Sequence, residues 1–171
     1  SAYKLGGTIK VSDELLADSF TNIETYLTGL ITEGIADAEE GFFTTGTGTA
    51  QAEGIITGAA LGKTTAAIAA VTADEVLDLI YSVKAIYREN GKMMMNSSTE
   101  LAIRKLKDTS GQYLWQPSLQ AGTPNVFAGY PIIINEKMAS IGTGNKFAGF
   151  GDMSYYQIAD RGGIEVKRLN E

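Results

Sequence analysis

Leu16, Phe20, Ile23, Leu27 and Leu30 recur at steps of 4, 3, 4 and 3, and a neighbouring stripe continues through Ile31, Ile35, Ala38 and Phe42. That spacing lays apolar side chains along one broad face of an α-helix. Ser12 is a good N-cap, Asp13 and Glu14 occupy the first turn where the helix dipole favours negative charge, and Val11 with Leu16 fit a hydrophobic staple. The pattern predicts one helix from about Ser12 to Glu40. At ~1.5 Å per residue such a helix is ~45 Å long, more than a compact domain of this size needs. Gly29 and Gly34 lie inside it and each weakens it by up to ~1 kcal/mol, so packing against neighbours has to hold the rod together.

A Gly/Thr loop follows, Thr44 to Glu53, leading into a short predicted strand at Gly54-Ile55-Ile56 and then an Ala/Thr/Gly stretch to Ala70. Its low side-chain volume marks a connection between domains. Thr72 and Glu75 form a capping box, with Val71 and Val76 as its staple, and Val76, Leu77, Ile80, Val83, Ile86 and Tyr87 give the next helix an apolar face. Asn90-Gly91 should stop it in the left-handed conformation that Gly tolerates. Lys92-Met93-Met94-Met95-Asn96 reads as a buried strand, and Ser97 with Glu100 caps a shorter helix through about Lys107. Strands are then predicted at Gln112–Trp115, Tyr130–Asn135 and Phe147–Gly151, with a closing hairpin of Tyr155–Ala159 and Ile164–Arg168. The sum is a strut followed by an α+β domain with helices on a mixed sheet.

The chain has 171 residues, 44% hydrophobic and 20% charged. A chain of this length buries roughly 70% of its unfolded surface. It contains no Cys and no His, which removes thiol nucleophiles, disulfides, His-dependent triads and most zinc or haem sites. The net charge of −6 disfavours a general grip on nucleic-acid phosphates. No apolar run approaches the ~18 residues of a membrane helix, and no secretion signal opens the chain, so a soluble protein is expected. The first residue, Ser1, is not Met, as in a processed or trimmed piece of a longer product. Charge divides unevenly: residues 1–75 hold three bases and eleven acids, whereas 76–171 hold eleven bases and nine acids. That asymmetry suits head-to-tail association of copies.

Motifs with chemical potential have simpler readings beside them. Gly62-Lys63-Thr64 resembles the end of a phosphate-binding loop, but Thr57 stands where the first Gly of that pattern belongs, which favours a surface connection. The carboxylate pairs Asp13/Glu14 and Asp74/Glu75 sit at helix starts, and Glu39/Glu40 on a solvated helix face. Lys84, Arg88, Lys92, Arg104, Lys105 and Lys107 face only Glu89 and Glu100 within residues 84–107, yet only Tyr87 is interleaved among them, so solvated faces or subunit salt bridges fit better than a nucleic-acid groove. Met93-Met94-Met95 fits a core strand, and Asp152 an Asx turn or the cap of a short helical turn. No catalytic, cofactor-binding or metal-binding residue is assigned.

The order of these features resembles the major capsid proteins of tailed double-stranded DNA bacteriophages, with the Hong Kong 97-like fold. Ile9-Lys10-Val11-Ser12-Asp13-Glu14-Leu15-Leu16 resembles the start of that family's spine helix. Phe42-Phe43, Gly46-Thr47-Gly48, Gln51 and Gly54-Ile55 resemble the glycine loop after it. Asn96, Leu106-Lys107-Asp108, Gly111-Gln112-Tyr113-Leu114, Gly129-Tyr130-Pro131-Ile132, Phe150-Gly151-Asp152 and Tyr155 follow in the family's order. Ala52 departs from the pattern, standing where the family commonly has Pro. Segments corresponding to the N-terminal arm with its extended loop and to the final peripheral strands are not matched, as expected of a fragment or ordered part of a longer shell protein.

The resemblance implies an α+β fold with a spine helix in a peripheral domain (residues 1–56, through the glycine loop and strand), a connection (57–71) and an axial domain with helices on a mixed central sheet (72–171). It implies a structural, non-enzymatic subunit without cofactors, which self-assembles into pentamers and hexamers of an icosahedral shell around phage or prophage DNA. Other copies of itself would be its partners, with scaffolding, portal and decoration proteins as further candidates and with neither specific nucleic-acid binding nor a membrane. The implied location is the virion capsid, after assembly in the bacterial host cytoplasm. Two alternatives stay open at this point: a bacterial nanocompartment (encapsulin-like) shell, and a small nucleotide-binding or hydrolytic enzyme using Lys63 and Thr64.

Overall fold

Contacts in the computed structural model divide the chain into two units, Ser1–Gly54 with Ile158–Glu171, and Ile55–Gln157. The structure describes residues 3–12, 23–67, 70–115, 126–163 and 165. In the first unit, helix α1 spans Ile23–Thr45. The predicted helix start at Asp13, Glu14 and Leu16 lies outside the described residues. The helix runs past the predicted end at Glu40 because its last turn supplies its own partners: the Thr44 and Thr45 hydroxyls donate to the carbonyls of Glu40 (2.6 Å) and Gly41 (3.2 Å), and Gly46 N–H donates to Phe42 O (2.9 Å).

A tight loop folds back onto this helix end. Gly54 N–H donates to Gly46 O (2.8 Å), Thr47 bridges Glu53, and Gly48 (φ 77°) and Ala50 (φ 60°) take left-handed backbone. Space enforces the glycines at the crossing. A Cβ on Gly54 would lie 2.5 Å from the Thr44 carbonyl and Thr45 nitrogen, and one on Gly46 would overlap the carbonyls of Ala52 and Phe42. The Tyr3 hydroxyl donates to Gly48 O (2.7 Å), tying the described N-terminal stretch to the same loop. The strand predicted at Gly54-Ile55-Ile56 is absent: the chain passes into a single helical turn, α2, Ile55–Gly58. The closing hairpin is also not formed in its first arm, since residues 156–163 have no regular secondary structure; Ile164 and residues 166–168 of the second arm lie outside the described residues.

In the second unit, helix α3 (Ala73–Ser82) carries the predicted capping box, with Thr72 accepting from Glu75 N–H and the Glu75 side chain accepting from Thr72 N–H. The single helix predicted to Asn90 is split. The Ser82 hydroxyl donates to Leu79 O (2.6 Å), competing for a helix carbonyl, and Val83 turns extended (φ −88°, ψ 135°) before α4, Ala85–Arg88. Gly91 does not take the left-handed conformation expected of it. It is needed for close approach, since a Cβ there would sit 2.6 Å from the Phe150 ring.

Strand β1, Lys92–Met95, is followed by α5, Ser97–Arg104, then β2 (Val126–Phe127), β3 (Tyr130–Ile134) and β4 (Ala148–Gly151). Their order is β2-β3-β1-β4, with β1 parallel to β3 and antiparallel to β4, which makes the sheet mixed as expected. The predicted strand Gln112–Trp115 reduces to one bridge, Lys107 with Tyr113, and this departure of Lys107 ends α5 three residues before the predicted limit. Ala128 (φ 50°) and Gly129 (φ 87°) make the two-residue turn between β2 and β3, where positive φ at both positions matches the strand twist.

The core of this unit gathers Val71, Val76, Ile80, Met93, Met95 and Ile103, ringed by Trp115, Phe127, Tyr130, Ile132, Phe147 and Phe150 among others. Met93 (0% exposed) and Met95 (1%) are core, as their position between a helix stop and a helix cap implied, while Met94 between them is only half-buried. The cap of α5 is Asn96 and not Ser97. Its buried amide makes a full set of bonds: Oδ1 accepts from Thr99 N–H (2.8 Å) and the Ser98 hydroxyl (3.1 Å), while Nδ2 donates to Met138 O (3.1 Å) and Ser140 Oγ (3.0 Å). One side chain therefore joins the end of β1, the start of α5 and the loop before β4.

Asn96→Ala should lower stability by about 2–4 kcal/mol in chemical denaturation, combining a lost cap with buried groups left unpaired. Thr99 is its contrast: it is fully buried, and its hydroxyl has no hydrogen-bond partner among the described residues. Thr99→Val keeps the shape and should stabilise the protein by about 1 kcal/mol in the same assay.

Candidate assembly surfaces

Helix α1 has 23 residues, and among those whose side chains are described none before Thr44 is buried. Ile23, Leu27, Ile31, Ile35, Ala38 and Phe42 form one half-buried stripe, while Tyr26 (64% exposed) and Leu30 (41%) face solvent. A helix holding this much apolar surface outside a core is only marginally stable by itself. Its charged residues are all acids, Glu24, Glu33, Asp37, Glu39 and Glu40, with no base between Ile23 and Thr45.

The connection that carries Lys63 is fastened to α3. Lys63 Nζ pairs with Asp78 Oδ2 at 2.6 Å, and Glu75 accepts from Ala66 N–H (2.6 Å) and Thr72 N–H (2.8 Å). The contact with Asp78 raises the Lys63 pKa, and the Ala66 and Thr72 amides hold the Glu75 carboxyl below its ordinary range. Lys63 is thus paired with a carboxylate, and a helical turn, not a strand, leads towards it, which lends no support to a phosphate loop at Lys63 and Thr64.

Three of the six bases of residues 84–107 lie over aromatic rings. Arg88 lies over Tyr81 (4.5 Å), Arg104 over Trp115 (4.7 Å) while pairing with Glu100 (2.6 Å), and Lys107 over Tyr113 (4.8 Å). All three rings lie outside residues 84–107, where Tyr87 is the one aromatic residue. Lys146 was missed altogether: its ammonium donates to the carbonyls of Ile56 (2.9 Å), Thr57 (3.1 Å) and Ala59 (3.2 Å), capping α2 from a point about ninety residues away.

An open cleft of about 470 Å³ beside Lys92, Pro131 and Asp152 offers little chemistry. Asp152 caps the 3-10 turn Met153–Tyr155, as one of its two predicted roles required, and accepts from Ser154 N–H (2.9 Å). Hydrogen bonds from the Ser154 hydroxyl and backbone hold its carboxyl below the ordinary value, with Lys92 and Asn90 adding to the effect. Asp74 and Glu75 lie in the first turn of α3, Glu39 and Glu40 on α1, and Asp13/Glu14 outside the described residues. Among the described residues no group of three or more His, Cys, Asp or Glu could hold a metal ion, and no helix is long and apolar enough to cross a membrane.

The phage capsid family model matches residues 1–171. Among solved structures, the capsid of a native GTA particle computed with C5 symmetry is similar at 37% identity and a TM-score of 0.72, over 82% of this chain and 52% of that one. The capsid of an empty GTA particle, also computed with C5 symmetry, is similar at 36% identity and a TM-score of 0.73, over 82% of this chain and 53% of that one. The chain therefore spans about half the length of the capsid chains it matches. No curated protein matches it.

Because Glu75 has a lowered pKa, its bonds stabilise the fold above the ordinary carboxyl value of 4.5 and are lost as pH falls through the lowered value. Hydrogen-exchange protection at the Ala66 and Thr72 amides should hold at neutral pH and fall on acidification below that range. In Glu75→Ala both amides should be unprotected throughout.

Proposed function

Because this chain belongs to the phage capsid family, which its whole length matches, we propose that it is part of a structural subunit whose copies close into an icosahedral shell around phage or prophage DNA. Its fold is the mixed α+β, Hong Kong 97-like fold of the capsid structures it resembles. The observation that carries the reading is the unburied length of α1. A 23-residue helix with no buried side chain described before Thr44 is useful where neighbouring subunits complete its packing.

The unit Ser1–Gly54 with Ile158–Glu171 serves as the peripheral part and Ile55–Gln157 as the axial part. Pentamers and hexamers are rings, and a ring requires a head-to-tail interface in which two different faces of one subunit match. The acidic first part and basic second part of the sequence favour such an arrangement. Each copy meets several neighbours, so individually weak contacts suffice. The subunit performs no catalysis, assembles in the host cytoplasm, and meets scaffolding, portal and decoration proteins through the finished shell.

The full-length protein, expressed alone or with its scaffold, should give closed shells or five- and six-fold rings in negative-stain microscopy. A full-length protein that stays monomeric under all assembly conditions contradicts the reading.

A further inference from the structure

Tyr26, Leu30, Glu33, Asp37 and Glu40 follow one another at steps of 4, 3, 4 and 3 and are all exposed, so they form one face of α1. That face is apolar towards its start and acidic towards its end. Pairing two such helices through these faces is disfavoured, because each face carries three carboxylates and the helix has no base. What fits is a surface with exposed apolar groups beside unneutralised bases.

The second unit presents one. Leu101 and Lys105 lie one turn apart on α5 and are exposed. The chain then brings Lys107 beside Tyr113 through the bridge between them, and Leu114 N–H donates to Leu106 O at 2.9 Å. Leu101, Lys105, Lys107 and Tyr113 are all exposed, the bridge sets the Lys107 and Tyr113 side chains on the same side, and Leu101 and Tyr113 are each about half accessible. The nearby acids are engaged: Glu100 pairs with Arg104, and Asp108 accepts from the Ser110 and Gln112 amides. Lys105 and Lys107 are left facing outward, and the stretch 84–107 has six bases against two acids.

We propose that the Tyr26–Glu40 face of α1 in one copy docks on the Leu101/Lys105/Lys107/Tyr113 surface of the next copy, as one head-to-tail contact of the assembly. The inference rests on the shell reading and adds to it the two faces that meet. Apolar contact at Tyr26 and Leu30 supplies attraction, and the carboxylates of Glu33 and Glu40 opposite the ammoniums of Lys105 and Lys107 fix direction and register. Each exposed ion pair is individually weak and screened by salt, so the contact acts through repetition around a closed ring.

Charge reversal on the full-length protein tests the pairing, with light scattering and negative-stain microscopy as readouts and thermal melting as the folding control. Glu33→Lys with Glu40→Lys, or Lys105→Glu with Lys107→Glu, should each lower the assembled fraction about tenfold at low salt without moving the melting temperature. Combining all four should restore assembly to within about threefold of the parent, and mixing the two reversed proteins should restore six-fold rings, in which the two kinds can alternate, but not five-fold ones. Rescue by the fourfold variant without six-fold rings on mixing would place the contact inside one chain and overturn the proposal. Reversed proteins that assemble normally, or that are rescued by neither route, overturn it too while leaving a parent that forms shells as support for the broader reading. A parent that never forms shells removes both.

Discussion

The helix Ile23–Thr45 sets the central constraint, because hydrogen bonds along its backbone do not by themselves offset the entropy of ordering it. Its half-buried stripe and its exposed Tyr26 and Leu30 leave apolar surface without a core around it. The chain invests instead in the helix end, where the Thr44 and Thr45 hydroxyls, the Gly46 amide and the Gly46–Gly54 crossing lock the last turn against the following loop. A firmly finished end on an open helix is what a strut needs when its sides are to be filled by other copies.

The second unit is built differently, around a dry core and a satisfied polar hub. Met93 and Met95 point into the core from β1, and the next residue, Asn96, spends its whole amide on α5 and the loop before β4. Burying a polar group is tolerable only when each of its donors and acceptors is paired, and here the pairing also fixes where three elements meet. Lys146 does comparable work at α2, where one ammonium satisfies three carbonyls that a four-residue helix leaves open. Such a unit keeps its shape when pressed against neighbours.

Much of this was legible in the sequence where the signal is local. The capping box at Thr72 and Glu75, the buried methionine strand, the strands around Ile132 and Phe150, and the Asp152 cap all follow from residue order and short spacing. Errors arose where a contact distant in sequence decided the outcome. Asn96 displaced Ser97 as the cap because Met138 and Ser140 hold its amide, and Gly91 answers to the Phe150 ring and not to a left-handed turn. Val83 looked like one more position of a helical face, but the Ser82 hydroxyl turned the chain there. The β2–β3 turn escaped notice because Ala128 stands where Asn or Asp usually announces positive φ. The proposed assembly faces were harder still, since the charge asymmetry along the chain suited a head-to-tail contact without naming the residues that would make it.

The most direct test of the central claim is hydrogen exchange along Ile23–Thr45 in the full-length protein, before and after assembly. The account predicts weak protection in the unassembled subunit over Ile23–Gly41, and a gain of about a hundredfold on assembly as neighbouring copies cover the helix. Strong protection already present in the isolated subunit, or no gain on assembly, would contradict it.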